Sequence, residues 1–484
     1  MPRWWSPSLQ ILKDIDRRRD LRFSALVTVG YLVMAYLVVL GAEPILHGRN
    51  LWVYSGDFFA TLRGAHMILW GGYGLLYSSS NGLIAPPLGA LSLVPFAEFS
   101  ALGNFVEPYP YAFANPTIWL YAVAYMGFFV FAWSYSALRV LRLIISGERR
   151  NRIVVVASTL VAGFILIPWG HPEDLAAVAL CLWAFQKIAV GAYRPAGYYA
   201  GAALAFQPLA ILFLIPLFII GIRRLTEFVP ASVRAALVPL AMMLPAFLAS
   251  PSASINSWFS QPNFPKVDHL TLLGLLAASK AAGVPAGLYR LGMLGIVATG
   301  ALLIRYRLGK SLLSPRQLLV VCGLGLSVRA LIEPVIVPYY LTPFLMLAVL
   351  VGVEDRPKWP VNLIGIVFFS LGLEEVASIH TSPVSYSVAL WLMVGALVAL
   401  VVSRYSPDAG VAFEVQLQSQ NETDFPEVAA LDGSHSLTFL SELSVSSIGS
   451  DARVRDQQEV ETHSDYQIDE KIESEVAEYE IFDR

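Results

Sequence analysis

The side chains best suited to acid–base chemistry follow the first long apolar segment of the chain. Asp57 precedes two phenylalanines, and Arg63 and His66 lie within the next nine residues. A carboxylate against apolar surface has a raised pKa and serves as a general base near neutral pH. An aspartate ahead of an apolar stretch is equally a favoured helix N-cap. Asp57 is therefore a candidate base with capping as the alternative, and Arg63 and His66 are candidates for orienting a substrate.

A second polar group stands between two later apolar segments. The sequence Gly170-His171-Pro172-Glu173-Asp174 puts an imidazole and two carboxylates at the mouth of a predicted helix. Ionisable residues at such a boundary are costly unless they have a function, so we expect His171, Glu173 and Asp174 to orient a substrate. Asp174 as a helix cap is the alternative. One histidine beside two carboxylates could bind a divalent metal but lacks the ligand spacing of a metal site, so no metal or other cofactor is predicted.

A third group lies near the end of a later apolar segment. Arg329 precedes Glu333 by four residues, and Tyr339 and Tyr340 follow. Residues four apart share one side of a helix, so an Arg329–Glu333 ion pair is one interpretation. The other is that Arg329, with Tyr339 or Tyr340, holds a phosphate, because the guanidinium matches phosphate geometry. The sequence leaves both open.

These residues sit in a strongly apolar chain. The 484 residues are 56% hydrophobic and 14% charged, whereas soluble proteins are about 45–50% apolar and about 25% charged. The composition predicts an all-α polytopic membrane protein. The two cysteines, Cys181 and Cys322, lie in apolar runs and offer no disulfide framework. The phosphate-binding and dinucleotide motifs of soluble enzymes are absent from the sequence, and no nucleic-acid partner is predicted.

Apolar segments of membrane-spanning length recur along the chain. They predict a bundle of about 10–12 transmembrane helices over residues 24–403. Gln207-Pro208 interrupts one long segment. Because proline breaks a helix, we expect two short helices that turn back there as a shallow hairpin, so that the segment enters and leaves the membrane on the same side. The segments cover 24–40, 118–145, 153–169, 175–190, 196–222, 233–249, 286–304, 317–332, 339–353, 361–373 and 384–402.

The basic residues predict the orientation in the membrane. Arginines crowd the first 23 residues, which we expect to form a cytoplasmic amphipathic helix, and most basic loops fall on the same side. Both termini are then cytoplasmic in a plasma membrane, and the loop 43–116 with Asp57 faces outward. The five histidines of the first 403 residues gather on that outer side, which indicates polar binding there. His269, in the loop 250–284, is a further candidate for orienting substrate. The five are His47, His66, His171, His269 and His380.

The C-terminal region 404–484 has a different composition. From residue 407 onward it carries 19 acidic and 4 basic residues, against 29 basic and 17 acidic residues in the first 406. Low hydrophobicity with high net charge predicts a disordered cytoplasmic tail. Such a tail could recruit a cytoplasmic partner or serve only as a solvated appendage.

The outward loop resembles a known family in three runs. These are G-D-F-F at 56–59, G-A-H-M-I-L-W-G-G-Y-G-L-L-Y at 64–77 and N-G-L-I-A-P-P-L-G-A-L-S-L-V-P-F at 81–96. They look like the first loop of the GT-C glycosyltransferases, most similar to family 87, the polyprenyl-phosphate-mannose-dependent mannosyltransferases of actinobacteria. The run G-Y-Y-A-G-A-A-L-A-F-Q-P-L-A-I-L-F-L-I-P-L-F at 197–218 is similar to a small-residue helix of that family, and the likeness extends loosely over about residues 24–350.

The resemblance implies a GT-C-like bundle with re-entrant or amphipathic outer-loop helices. It implies that Asp57 matches the catalytic loop aspartate and that the donor is a polyprenyl-phosphate sugar bound at the outer leaflet. The chain departs from the family pattern at three places. His171-Pro172-Glu173-Asp174 replaces a G-Q-x-N step, Gln207 replaces a lysine, and Ala85 replaces an aromatic residue.

The sequence therefore predicts an inverting membrane glycosyltransferase. Its sugar, mannose or another hexose or pentose, would pass to a hydroxyl of a lipid or glycan acceptor. Two alternatives stay open: a transporter or flippase of a lipid-linked glycan, and a non-catalytic membrane scaffold whose acidic tail recruits a partner.

Overall fold

A computed structural model describes most of the first 378 residues. It covers 7–45, 56–69, 72–77, 87–101, 116–145, 147–169, 171–259, 286–309, 313–332, 338–352, 359–378 and 395. All of these residues belong to one compact unit, Met1–Val415. Nearly all of them are helical and none is in a strand. The prediction of an all-α protein is confirmed for this part of the chain.

Fourteen α-helices follow one another in the described residues. In chain order they are α1 Pro7–Ile45, α2 Gly56–Leu69, α3 Pro87–Ala101, α4 Pro116–Ile144, α5 Glu148–Trp169, α6 Pro172–Ala189, α7 Tyr193–Phe206, α8 Ile211–Gly221, α9 Leu225–Ala249, α10 Pro251–Phe259, α11 Ala286–Leu308, α12 Pro315–Ile332, α13 Thr342–Gly352 and α14 Trp359–Ser378. Short 3₁₀ helices occupy Tyr73–Leu75, Pro208–Ala210 and Pro338–Leu341.

Four of these helices are long and apolar enough to cross a membrane. The crossing segments, counted over the described residues, are Arg17–Leu37 of α1, Val123–Ile144 of α4, α9 and Arg290–Leu308 of α11. Only 17% of the α9 span is buried inside the protein, and large apolar side chains such as Leu240 face outward. A solvated helix does not expose apolar surface on that scale, whereas a lipid-facing helix does. The described part of the chain is an all-α membrane protein by these measures.

The protein core lies around α6, which is buried along most of its length. Helices α4 and α7 both pack against α6. The side chains of Ala196, Ala200 and Ala203 form a completely buried stripe at helical spacing on α7. On the face toward α9, a Cβ at Gly197 would collide with the Ala231 carbonyl. Small residues therefore let α7 pack closely, as in other membrane helix pairs.

The predicted break at Gln207-Pro208 is confirmed. Helix α7 ends at Phe206, Gln207 is extended with φ −147° and ψ 113°, and Pro208 starts a 3₁₀ turn that leads into α8. Proline has no N–H for the preceding helix and disfavours helical geometry at the residue before it. The break turns the Gln207 side chain out of the regular helix and makes it available to a neighbour.

A buried ion pair fixes α1 on α4. The Asp20 side chain is fully buried, with Oδ1 2.6 Å from Arg142 Nη2 and Oδ2 3.8 Å from Arg139 Nη1. Both arginines lie within α4, and together they compensate a carboxylate that would otherwise be costly to bury.

We expect Asp20→Asn to destabilise the protein. The free energy of unfolding should fall by about 2 kcal/mol, less than for a fully enclosed pair because both arginines are partly exposed. Thermal unfolding of the full chain in detergent measures the effect. Glu148→Gln is the matched control, since Glu148 lies 3.9 Å from the same Arg142 but is 45% exposed and should cost below about 1 kcal/mol. Equal losses in the two variants would contradict this assignment.

Candidate functional site

The start of α6 carries three buried ionisable residues. His171 precedes the helix and Pro172 takes the first helical position, where a missing N–H costs nothing. The residues His171, Glu173 and Asp174 are 5%, 6% and 1% exposed. His171 donates from Nδ1 to Glu173 Oε1 over 2.6 Å. Carboxylates in the first turn also meet the positive end of the helix dipole, which helps them to stay there.

Asp174 does not cap the helix. His171 occupies the cap position, without a side-chain cap bond, and Asp174 lies inside the first turn. Gln207 donates instead from Nε2 to Asp174 Oδ1 over 2.6 Å. The buried Oδ2 accepts no hydrogen bond from any residue that the structure describes. The capping interpretation of Asp174 is therefore wrong, and one carboxylate oxygen is left for a ligand.

Arg329 and Tyr340 lie together, as the phosphate-binding interpretation requires. Arg329 is in the last turn of α12 and is 6% exposed. Its guanidinium carbon lies 3.2 Å from the centroid of the Tyr340 ring. Stacking on an aromatic face holds the planar guanidinium in one orientation and adds a cation–π attraction. The Tyr339 side chain and all of Glu333 lie outside the described residues, so the Arg329–Glu333 ion pair stays untested.

One pocket joins the α6 group to the Arg329 group. Asp174, Gln207, Arg329 and Tyr340 line it together. The remaining walls are apolar: Ala177, Val178, Cys181, Leu209, Ala210, Leu212, Phe213, Leu326 and Pro343. Two sets of residues that the sequence presented separately, 155 positions apart between Asp174 and Arg329, thus face a common space. A few convergent polar groups in apolar walls are typical of a ligand site.

The pKa of the Asp174 carboxyl group is raised above its ordinary value. Burial is the main cause that raises its pKa to about 6, and the neighbouring Glu173 raises it further. His171, Arg329 and the Gln207 hydrogen bond act in the opposite direction without cancelling the effect of burial. A carboxyl group with such a pKa exists in both protonation states near pH 6 and can exchange a proton with a ligand.

Gln207 is the residue that sequence reasoning missed. It was noted at the predicted helix break and as a departure from a family lysine, without any role in a site, yet it contacts Asp174 and lines the pocket. The available signal was its position beside Pro208, because a polar side chain at a helix break inside an apolar segment needs a buried partner.

Among the described predicted site residues, His171, Glu173, Arg63 and His66 do not line this pocket. His66 donates from Nε2 to the Ala97 carbonyl over 3.0 Å, which ties α2 to α3. Arg63 is exposed on α2. Asp57 is the second residue of α2, but its side chain lies outside the described residues, as does the whole of His269. The roles given to Arg63, His66, Asp57 and His269 stay predictions.

No group of three His, Cys, Asp or Glu side chains in the described ranges is arranged to hold a metal ion. Neither the protein-family models nor the curated proteins with which the sequence was compared match it.

We expect the Asp174 carboxyl group to be observable by infrared spectroscopy. The C=O stretching band of its protonated form should disappear with a midpoint near pH 6, and Asp174→Asn should abolish the band. In Gln207→Leu the midpoint should move to higher pH, because the amide N–H stabilises the ionised form. Gln186 lies on α6 like Asp174 but outside the pocket, so Gln186→Leu should leave the midpoint unchanged. An unshifted midpoint in Gln207→Leu would contradict the hydrogen bond's role.

Proposed function

We propose that this protein is a membrane glycosyltransferase of the GT-C type that uses a polyprenyl-phosphate sugar as donor. The acceptor is a hydroxyl of a lipid or glycan at the outer face of the plasma membrane, with both termini in the cytoplasm. About 10–12 transmembrane helices, of which four are recognised in the described residues, surround the site.

The observation that carries the proposal is the shared pocket of Asp174 and Arg329. A lipid-linked sugar phosphate presents an anionic phosphate between a hydroxyl-rich sugar and an apolar chain. The pocket supplies the matching chemistry: a fixed guanidinium for the phosphate, an amide and a carboxyl group for hydroxyls, and apolar walls. Asp174 and Arg329 are buried, and the low local dielectric strengthens their hydrogen bonds and charge interactions.

Asp174 is compatible with an anionic ligand because its pKa is raised. An ionised carboxylate would repel a phosphate in the same pocket, at some cost in binding. A neutral carboxyl group donates a hydrogen bond instead, and the approach of a phosphate would favour that neutral form. Arg329 supplies the positive charge in either case. The raised pKa of Asp174 thus lowers the cost of protonating it when a phosphate binds.

The reaction follows from the proposed roles. Asp57 takes the proton of the acceptor hydroxyl, whose oxygen attacks the anomeric carbon as the sugar–phosphate bond breaks. Polyprenyl phosphate leaves with the bonding electron pair, and inversion results. Arg329, held by Tyr340, stabilises the negative charge that develops on the leaving phosphate. His171, Glu173 and Asp174 orient the sugar, and Tyr339 assists at the phosphate.

The packing of α2, the helix that carries Asp57, is compatible with Asp57 as the base. Helix α2 packs against α3, and α3 packs against α7, whose last residue precedes Gln207. The helix that carries Asp57 therefore belongs to the same packed group as one wall of the pocket. The assignment of Asp57 itself rests on the resemblance, and Asp174 is the second carboxylate that could serve as the base.

A proton-coupled transporter or flippase is the second candidate function. It is favoured by the buried His171–Glu173 hydrogen bond next to Asp174, because chains of His, Glu and Asp inside membrane proteins are typical of proton relays. Lipid scrambling in proteoliposomes separates this candidate from the transferase.

We expect the full chain in nanodiscs to transfer radiolabelled mannose from polyprenyl-phosphate mannose to membrane acceptors. Asp57→Asn should lower the rate about a hundredfold or more, the scale of a general base. Glu227→Gln, an acidic residue outside the pocket, should leave transfer unchanged.

Each outcome of this assay separates the alternatives. Full activity of Asp57→Asn with loss in Asp174→Asn would move the base to Asp174. Lipid scrambling without any sugar transfer would replace the transferase by the flippase.

A second set of variants tests the phosphate role of Arg329. Arg329→Gln should lower kcat/KM for the donor about a hundredfold, the scale of a lost charge-stabilising donor. Tyr340→Leu should lower it about tenfold, because the guanidinium loses its stacking surface. Tyr340→Phe is the matched control and should stay within about twofold, since the ring is kept. An unchanged kcat/KM for the donor in Arg329→Gln would exclude this role.

A further inference from the structure

A second, separate cavity lies between α1 and α5. It is lined by Arg19, Glu148, Arg149, Arg152 and Ile153, and its empty volume of about 1100 Å³ is open to solvent. We name these five residues the arginine cleft. None of them lines the pocket of Asp174 and Arg329, so the cleft needs an explanation of its own.

The arginine cleft has an excess of positive charge. Its one carboxylate, Glu148, already contacts Arg152 and lies 3.9 Å from Arg142. Arg19 and Arg149 are exposed, and neither forms an ion pair with any residue in the described ranges. Two guanidinium groups therefore face one open space without an ion-pair partner among the described residues.

The walls of the arginine cleft are held in place. The Arg152 guanidinium lies 5.3 Å from the centroid of the Phe23 ring, which is a contact between α5 and α1. The buried ion pair of Asp20 with Arg142 fixes the same part of α1 on α4. Arg152 is thus occupied by Glu148 and Phe23, and Arg19 and Arg149 are the groups left for a ligand.

Apolar stripes begin directly below the two arginines. On α5, Ile153, Val156 and Leu160 follow Arg149 at helical spacing, and all three are exposed. The rise from Arg149 to Leu160 is about 16 Å, close to half of the roughly 30 Å hydrocarbon thickness.

A parallel stripe runs down α1. After Arg19 and Arg22, its exposed apolar members are Leu26, Val29, Val33 and Leu37. The segment Arg17–Leu37 is also one of the four candidate spans. The two helices that line the arginine cleft thus carry exposed apolar side chains over about the depth of one leaflet.

We propose that the arginine cleft binds an anionic phospholipid of the predicted cytoplasmic leaflet. The lipid phosphate lies between Arg19 and Arg149, and the acyl chains lie along the stripes of α1 and α5. A soluble phosphate would use the charges but not the stripes, whereas a phospholipid matches both. Basic clefts between membrane helices on the cytoplasmic side are suited to such headgroups. The inference does not depend on the proposed glycosyl transfer.

The test uses the full chain, purified and delipidated in an uncharged detergent. Phosphatidylglycerol or phosphatidylcholine is titrated in, and native mass spectrometry counts the bound lipids. We expect phosphatidylglycerol to bind more tightly than phosphatidylcholine. Arg19→Gln with Arg149→Gln should weaken it about 25-fold, since each arginine near an anionic lipid contributes about a fivefold effect. Raising the salt concentration should reduce the preference.

Two paired variants keep the test decisive. Arg224→Gln with Arg307→Gln removes two exposed arginines outside the arginine cleft and should leave phosphatidylglycerol affinity unchanged. Arg19→Lys with Arg149→Lys keeps the charge and should keep most of the affinity. Equal weakening by both glutamine pairs, loss in the lysine pair, or displacement of the lipid by equimolar glycerol phosphate would each overturn the proposal.

Discussion

The described fold depends on how it accommodates a carboxylate buried at the start of α6. Asp174 is 1% exposed and cannot be solvated, so the chain must bring it a hydrogen-bond donor. Gln207 serves because α7 stops at Phe206 and Pro208 prevents the helix from continuing. The proline break, the extended conformation at Gln207 and the start of α8 are therefore parts of one arrangement, and the pocket lies against it.

Two buried carboxylates in this protein have different partners and different consequences. Asp20 lies between two arginines, so its charge is compensated and it fastens α1 to α4. Asp174 has a neutral amide at one oxygen and no hydrogen bond from the described residues at the other. A buried carboxylate with paired charges stabilises the packing of helices. A buried carboxylate with incomplete partners has a raised pKa and an oxygen that can bind a ligand. For this reason we assign a functional role to Asp174 on α6 and a structural role to Asp20 on α1.

The two proposals place phosphate recognition in separate regions with different designs. In the pocket, a single guanidinium is stacked on Tyr340 and shielded from solvent, which suits directional contact with one reacting phosphate. In the arginine cleft, exposed guanidinium groups stand above apolar stripes. That arrangement suits retention of a lipid through its charge and its acyl chains. The guanidinium group of the proposed catalytic site is buried, whereas those of the proposed lipid site are exposed.

Composition and local pattern were sufficient for the helical class, the membrane character and the break at Gln207-Pro208, because each depends on properties that act over a few residues. They also singled out Asp174, Arg329 and Tyr340 as separate candidates. Only the tertiary structure could show that these residues share one pocket, that Gln207 bonds Asp174, and that Asp20 lies between two arginines. Such contacts join positions far apart in the chain through helix packing, and no periodicity of a single segment encodes which faces meet.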